Sequence, residues 1–188
     1  MNERIITIPN LFTLMRIVLI PIFLFYLIQH EPRKALIVFF IAASTDFLDG
    51  IAARILKQKS EIGALLDPAG DKLLMTAAMI ALSIPTITSP NVIPLWLTVF
   101  VIGRDLYIVS GSWIVYKRTK HTKFTPTFVG KMSTVCQMAT LILVLFFNAI
   151  HSPQPNLLWL YIITLGLTLI SGYQYTVIGR RIYYGKRS

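Results

Sequence analysis

The stretch DFLDGIAARILKQKSEIGALLDPAGD, residues 46–71, sets four aspartates among mainly apolar residues. Asp46 and Asp49 are three residues apart, so on a helix they project about 60° from each other around the axis. Asp67 and Asp71 are four apart and project about 40° from each other. Each pair is therefore predicted to lie on one face of its own helix. If the two helices are antiparallel neighbours, all four carboxylates converge.

Four carboxylates in an apolar environment need a counter-charge, because each suffers desolvation and repulsion from the others. Divalent cations are the simplest source of this counter-charge, and hard oxygen ligands suit Mg²⁺, Mn²⁺ or Ca²⁺. Gly50 and Ala53 share the helix face of the first pair and leave room for a substrate. Arg54 adds a planar fork of donors suited to phosphate. The pattern predicts a metal-dependent site for a phosphate-containing substrate.

The full spacing, D-x-x-D-G-x-x-A-R-x8-G-x-x-x-D-x-x-x-D, resembles the signature of the CDP-alcohol phosphatidyltransferases, with Gly63 as its second glycine. The resemblance implies that Asp46, Asp49 and Asp67 bind two divalent ions, Mg²⁺ or Mn²⁺. It implies that Asp71 is both a metal ligand and the catalytic base. The implied donor is CDP-diacylglycerol, and CMP is the implied leaving group. The residues implied to line the CDP pocket are Asp46, Gly50, Ala53, Arg54 and Gly63.

The composition predicts an integral membrane protein, with 55% hydrophobic residues, 14% charged residues and a mean hydropathy of +0.66. We expect residues 1–188 to form one all-α membrane domain with six transmembrane helices. Each predicted span has about 20 residues, the length that crosses the hydrocarbon core. The predicted spans are 10–29, 35–56, 63–84, 95–116, 128–150 and 157–178.

The distribution of Lys and Arg predicts which side of the membrane each loop faces. Six spans put both termini on one side, and the loops on that side carry eleven Lys and Arg residues against two on the other, Arg33 and Lys34. The positive-inside rule then predicts cytoplasmic termini and a cytoplasmic active site, in the cytoplasmic (inner) membrane. The net charge of +10 lies mostly at segment ends, which favours anionic lipid headgroups over nucleic acid. The eleven residues are Arg4, Lys57, Lys59, Lys117, Arg118, Lys120, Lys123, Arg180, Arg181, Lys186 and Arg187.

A second polar group is predicted on the fourth and fifth spans. Arg104 and Asp105 lie mid-span, where charge is costly. Neighbouring residues project about 100° apart on a helix, so we do not expect these two simply to pair with each other. Arg104, Lys131 and Arg118 are the candidate contacts for an anionic acceptor. On the first span, Arg16 has two interpretations, snorkelling to the interface or facing the polar site.

The acceptor is the least determined part of the reaction. In the family that the sequence resembles, enzymes that use glycerol 3-phosphate usually carry an Arg-Glu pair and a second arginine eight residues after the first. This chain has Arg104 and Asp105 at the pair, and Ser112 at the position of the second arginine. GRDLYIVSG and PTFVGKMSTVCQ resemble the CDP-dependent cardiolipin synthases, which use phosphatidylglycerol. As the acceptor we place glycerol 3-phosphate first by a narrow margin, which would make the protein similar to the phosphatidylglycerophosphate synthases. Phosphatidylglycerol is the alternative acceptor. Inositol phosphate and serine rank behind both.

Functions outside catalysis are also open. Intramembrane aspartates occur in cation pathways, so a non-enzymatic cation-binding or transport protein is the remote alternative. Both aspartate pairs lie near one membrane surface on consecutive spans, which favours a closed site over a pathway. The resemblance further implies a homodimer embedded in the lipid bilayer.

Overall fold

The computed structural model describes residues 8–56, 61–88, 90–119, 127–152 and 156–185. In this part of the chain all regular secondary structure is α-helical. The helices, in chain order, are α1 (Ile8–Ile28), α2 (Pro32–Leu56), α3 (Glu61–Leu82), α4 (Leu95–Thr119), α5 (Phe128–Ala149) and α6 (Leu158–Gly185).

Each predicted span corresponds to one helix, and the largest difference lies at the end of α6. The sequence predicts a basic tail after residue 178, whereas α6 continues to Gly185. No proline interrupts GRRIYYG, so nothing in that stretch forces the helix to end. Within the described residues, three helices are long and apolar enough to cross a membrane: Leu95–Lys117, Phe128–Ala149 and Leu158–Ile182.

Contacts divide the chain into two compact units, which are described separately. The first comprises Met1–Ile93 with Leu141–Gln154, and the second comprises Pro94–Thr140 with Pro155–Ser188. In the first unit α1 packs against both α2 and α3, and α2 contacts α3. Phe23 of α1 and Phe39 of α2 are completely buried, with ring centroids 5.6 Å apart.

The turn between α1 and α2 is a Schellman cap. The amide of His30 donates to the carbonyl of Leu27 (3.0 Å), and the amide of Glu31 donates to that of Tyr26 (2.9 Å). His30 has φ 55°, a left-handed conformation that costs a non-glycine residue about 1–2 kcal/mol. The short turn makes α1 and α2 antiparallel neighbours.

A buried amide cluster lies at the same end of the first unit as the turn between α1 and α2. The side chain of Asn148 accepts from the amide nitrogen of Asn91 (2.8 Å) and from its side-chain Nδ2 (2.9 Å). Asn148 in turn donates to the carbonyl of Asn91 (2.9 Å). Arg33 Nε donates to the carbonyl of Ala149 (2.8 Å), which satisfies a carbonyl at the end of α5. The bonds between Asn91 and Asn148 tie the segment before α4 to the C-terminal end of α5, and the Arg33 bond ties the start of α2 to the same end.

In the second unit α4 packs against α6, and buried hydroxyl groups join α5 to α6. Ser133 and Thr168 share a hydrogen bond of 3.2 Å, and Thr140 and Thr164 share one of 3.3 Å. Interhelical hydroxyl bonds of this kind contribute roughly 0.6 kcal/mol each in membrane proteins. Small polar residues also let the two helix backbones approach closely.

Candidate active site

The motif aspartates lie on α2 and α3, as the sequence predicts. Asp46 and Asp49 are both inside α2, and Asp67 and Asp71 are both inside α3. Gly50, Ala53 and Arg54 follow on α2, and Gly63 lies at the start of α3. The side chains of these eight residues lie outside the part of the chain that the structure describes. The backbone therefore supports the helical spacing of each pair, and the convergence of the carboxylates stays a prediction.

The donor chemistry of the motif fits divalent metal. Four carboxylates offer only hard oxygen ligands, the set preferred by Mg²⁺ and Mn²⁺. The two helices that carry them are in contact with each other. Among the residues whose side chains are described, no other group of three His, Cys, Asp or Glu residues is positioned to hold a metal ion. The ligand types of the motif make it the candidate metal centre.

The burial of Arg16 distinguishes between the two interpretations of this residue, snorkelling to the interface or facing the polar site. Its side chain is completely buried, whereas a snorkelling arginine keeps its guanidinium at the membrane surface. The helix that carries it packs against α2 and α3, the two helices of the aspartate motif. A buried guanidinium is stable only among acceptors or opposite charge. Burial and position thus favour the interpretation in which Arg16 belongs to the polar interior of the first unit.

Arg104 is the centre of a polar cluster in the second unit. Its side chain is 9% exposed and donates from Nη1 to the carboxylate of Asp105 (2.6 Å). Nη2 donates to the hydroxyl of Ser171 on α6. The guanidinium carbon lies 5.9 Å from the ring centroid of Tyr175, one turn further along α6, within cation–π range. Arg104 Nε is also buried, and no hydrogen-bond partner for it occurs in the described part of the chain.

Arg104 and Asp105 do form an ion pair, but they are not simply each other's partner, because Arg104 also bonds to Ser171. The 100° between neighbouring Cα–Cβ directions is overcome by the four rotatable bonds of the arginine side chain. The two groups are only 9% and 16% exposed, so solvent does not compete strongly for either charge. In such surroundings the attraction between opposite charges is several-fold stronger than in water. Each charge therefore compensates the cost of burying the other.

Gly130 gives the Arg104 guanidinium its space. A Cβ atom at Gly130 would lie 3.4 Å from Arg104 Nη2 and 3.0 Å from the hydroxyl of Thr127. That hydroxyl accepts a hydrogen bond from the amide of Gly130 (3.0 Å), so Thr127 caps the N-terminus of α5. The first turn of α5 is thereby fixed beside Arg104. The glycine is required by this close approach rather than by an unusual backbone angle.

The three predicted acceptor contacts have different outcomes. Arg104 is buried in the cluster described above. Lys131 lies in the first turn of α5, next to Gly130, and its side chain is exposed. Arg118 is in the last turn of α4, and its side chain lies outside the described residues. Sequence reasoning missed Ser171 and Tyr175, because a serine and a tyrosine in an apolar helix carry no signal until the helices are packed.

Comparison with known proteins decides the family. A family model described as CDP-alcohol phosphatidyltransferase matches residues 6–170. The chain belongs to the CDP-alcohol phosphatidyltransferase family. In this chain, the matched region contains the whole aspartate motif, Arg104 and Lys131. It ends one residue before Ser171, so the C-terminal part of α6 lies outside it.

The curated relatives fall into two groups with different printed activities. The chain is 32% identical to a human cardiolipin synthase (CMP-forming) over 194 residues, covering 93% of this chain and 62% of the relative. It is 37% identical to a CDP-diacylglycerol–glycerol-3-phosphate 3-phosphatidyltransferase of Pseudomonas fluorescens over 182 residues, covering 89% and 87%. A relative with the same printed activity in Aquifex aeolicus is 30% identical, covering 94% and 98%. The chain spans about three-fifths of the length of the human cardiolipin synthase.

Proposed function

We propose that this protein is an enzyme of phospholipid biosynthesis that transfers the phosphatidyl group of CDP-diacylglycerol to an alcohol acceptor and releases CMP. The observation that supports the proposal is the intact eight-position motif on two contacting helices. Family membership and the printed activities of both groups of relatives support the same reaction class. A cation pathway is disfavoured because the motif is confined to adjacent ends of consecutive helices.

The residues of the motif have different proposed roles in the reaction. Asp46, Asp49, Asp67 and Asp71 would hold two Mg²⁺ or Mn²⁺ ions. When bound, the ions neutralise the negative charge of the pyrophosphate and of the transition state. Arg54 would donate to phosphate oxygens in the same pocket. Gly50, Ala53 and Gly63 would let the nucleotide approach the helix backbone closely.

In the bond-changing step the acceptor hydroxyl oxygen attacks the β-phosphorus, the one attached to diacylglycerol. The bond from this phosphorus to the bridging oxygen breaks, and CMP leaves with the electron pair. The Asp71 carboxylate takes the hydroxyl proton, as a positioned general base. The products are a phosphodiester lipid and CMP, so atoms and charges balance without any further reactant.

Two acceptors share the chemistry that this step needs, a primary hydroxyl on an anionic glycerol phosphate. Glycerol 3-phosphate, placed first by the sequence, is favoured by relatives that the chain covers almost completely. Phosphatidylglycerol is favoured by Ser112, which occupies the position of an arginine in the glycerol-phosphate pattern. The two acceptors differ in charge and in acyl chains. They therefore require different surroundings from the protein.

The proposal includes a location and an assembly. Six helices would cross the cytoplasmic membrane, with both termini and the active site on the cytoplasmic side. The end of α4 fits a membrane interface, because the ammonium of Lys117 lies 4.2 Å from the ring centroid of Trp113. Such a basic and aromatic pair is typical of a membrane interface. A homodimer is also proposed, and light scattering in detergent measures it directly.

The experiment that tests the proposal is an acceptor panel with the purified full-length protein. CDP-diacylglycerol and Mg²⁺ are supplied with glycerol 3-phosphate, phosphatidylglycerol, inositol phosphate or serine, and CMP is quantified. CMP formation that depends on one of these acceptors supports the proposal. A well-folded preparation that binds divalent cations but forms no CMP with any acceptor would support the cation-binding alternative.

A further inference from the structure

The first unit contains a cavity of about 170 Å³ at the end that holds the turn between α1 and α2. The C-terminal ends of three helices meet there. Leu27 and His30 lie at the end of α1, and Asn148 and His151 lie at the end of α5. The segment after α3 forms the third side, since Thr88 lines the cavity and donates to a carbonyl in the last turn of α3 (3.0 Å).

The two histidines hold the same position in the same type of helix cap. At the end of α5 the amide of His151 donates to the carbonyl of Asn148 (3.0 Å), and the amide of Ser152 donates to that of Phe147 (3.1 Å). These are the two bonds of a Schellman cap, the type that also ends α1. In both caps the histidine and the residue that accepts its amide line the cavity.

The backbone conformation at both positions is the one that glycine usually supplies. His30 has φ 55° and His151 has φ 52°, in the left-handed region that is unfavourable for a residue with a Cβ. Within the described part of the chain, no other non-glycine residue and no glycine has a positive φ. Glycine would end both helices with less strain. Two strained histidines that line one cavity point to a function of the imidazoles beyond capping.

The surroundings of the cavity favour a cation. Carbonyl groups at a helix C-terminus carry partial negative charge, and three such ends converge here. The charged side chains at the start of α2 take no part in the lining. Arg33 donates to the carbonyl of Ala149 (2.8 Å), which also makes the two caps neighbours, and Lys34 pairs with Glu31 (2.6 Å). Imidazole nitrogen is a preferred ligand of Zn²⁺, Cu²⁺ and Ni²⁺, whereas Mg²⁺ prefers oxygen.

We propose that His30 and His151 form a two-imidazole site for a divalent transition-metal ion such as Zn²⁺. Water would complete the coordination, because a water molecule occupies roughly 30 Å³ and the cavity has room for several. The Thr88 hydroxyl donates its proton to α3, so its lone pairs can accept from such a water. The ion would join the end of α1 to the end of α5. The site shares no residue with the aspartate motif and does not depend on the proposed transfer reaction.

The test uses the purified full-length protein without a histidine tag, stripped of metal and then given excess Mg²⁺ to occupy the aspartate motif. Zn²⁺ is added in steps, and thermal unfolding is followed. An ion that binds the folded state raises Tm, so we expect a Zn²⁺-dependent rise in the unsubstituted protein. His30→Gly and His151→Gly should each abolish this rise. Neither should lower the Tm of the metal-free protein, because glycine adopts the cap conformation without strain.

A matched control and a direct view of the ligands complete the experiment. His121→Gln changes the third histidine of the chain and should keep the Zn²⁺-dependent rise. Electron paramagnetic resonance of one equivalent of Cu²⁺, again with excess Mg²⁺, should show coupling to two nitrogen nuclei in the unsubstituted protein and in His121→Gln. Each of the two glycine variants should show coupling to one nitrogen.

Three outcomes would overturn the proposal. A rise in Tm that persists in both glycine variants would place the Zn²⁺ ion elsewhere. Unsubstituted protein whose Tm does not respond to Zn²⁺ would show that the histidines act as caps alone. A Cu²⁺ spectrum without nitrogen coupling would exclude imidazole ligands. None of these measurements uses turnover, so the site is tested independently of the reaction.

Discussion

The guanidinium of Arg104 donates a 2.6 Å hydrogen bond to the carboxylate of Asp105, its neighbour in the chain. The same guanidinium donates to Ser171 of α6 and lies near the face of Tyr175. The buried guanidinium thus joins α4 to α6. Arg104 Nε has no hydrogen-bond partner in the described residues. This arrangement gives Arg104 a fixed position together with a remaining donor.

Arg104→Ala should impair use of the acceptor. A hydrogen bond to a charged group contributes roughly 1.5–3 kcal/mol, so its loss corresponds to a decrease in kcat/KM of about tenfold to a hundredfold. The KM for CDP-diacylglycerol should not change. Ser171→Ala is the control, because it removes one partner of the guanidinium and leaves its charge. Kinetics with each substrate varied in turn make the comparison, and a defect confined to the donor would show that Arg104 serves the CDP-lipid.

Activity should require divalent metal and the third motif aspartate. EDTA should abolish CMP formation, and added Mg²⁺ or Mn²⁺ should restore it. Asp67→Asn should reduce kcat at least about a hundredfold, since it removes a charged ligand and its electrostatic stabilisation. Glu31→Gln is the matched control, because Glu31 is an acid outside the motif whose carboxylate contacts Lys34 (2.6 Å). Near-normal turnover in a folded Asp67→Asn protein would refute the assignment of two metal ions.

Gly130→Ala should destabilise the protein and weaken acceptor use. The new methyl group would lie 3.0 Å from Thr127 Oγ1 and 3.4 Å from Arg104 Nη2, so the α5 cap or the guanidinium must shift. Gly166→Ala is the control, because its methyl group enters open space and gains up to about 1 kcal/mol of helix propensity. Thermal unfolding in detergent should give a lower Tm for Gly130→Ala than for Gly166→Ala. Equal Tm values and equal acceptor kinetics would show that Gly130 does not define the position of Arg104.

The orientation in the membrane can be tested with single cysteines in a Cys136→Ser background. Thr86 and Arg181 are both exposed in the structure, whereas Thr88 is buried and donates to the carbonyl of Ala81 (3.0 Å). An impermeant thiol reagent added to intact cells should label Thr86→Cys and not Arg181→Cys. Labelling of Arg181→Cys should appear only after permeabilisation. The reverse pattern would put the motif on the wrong side for cytoplasmic CDP-lipid.

The helices and the motif positions were predictable because each depends on local sequence. Apolar stretches of about 20 residues, bounded by prolines and charges, predict the helix ends to within three residues, except at the C-terminal end of α6. The spacing of Asp46 and Asp49 likewise predicts a shared helix face without knowledge of the partner helix. These signals reside in consecutive residues, which is why they can be read from one sequence.

The contacts between helices could not be predicted in the same way. The pairing of Arg104 with Asp105 depends on side-chain rotamers, and its bond to Ser171 depends on how α4 and α6 pack. Such features depend on residues far apart in the chain, and single-helix periodicity carries no information about them.

The most direct measurement of the central claim follows the β-phosphorus of the donor. CDP-diacylglycerol labelled with ³²P at that atom is incubated with the purified protein, Mg²⁺ and phosphatidylglycerol or glycerol 3-phosphate, and the products are separated by chromatography. Phosphatidyl transfer predicts that the label appears in a new phosphodiester lipid, equimolar with unlabelled CMP. Label recovered only in phosphatidic acid, or no consumption of the donor, would contradict transfer of the phosphatidyl group to the acceptor and with it the proposed reaction.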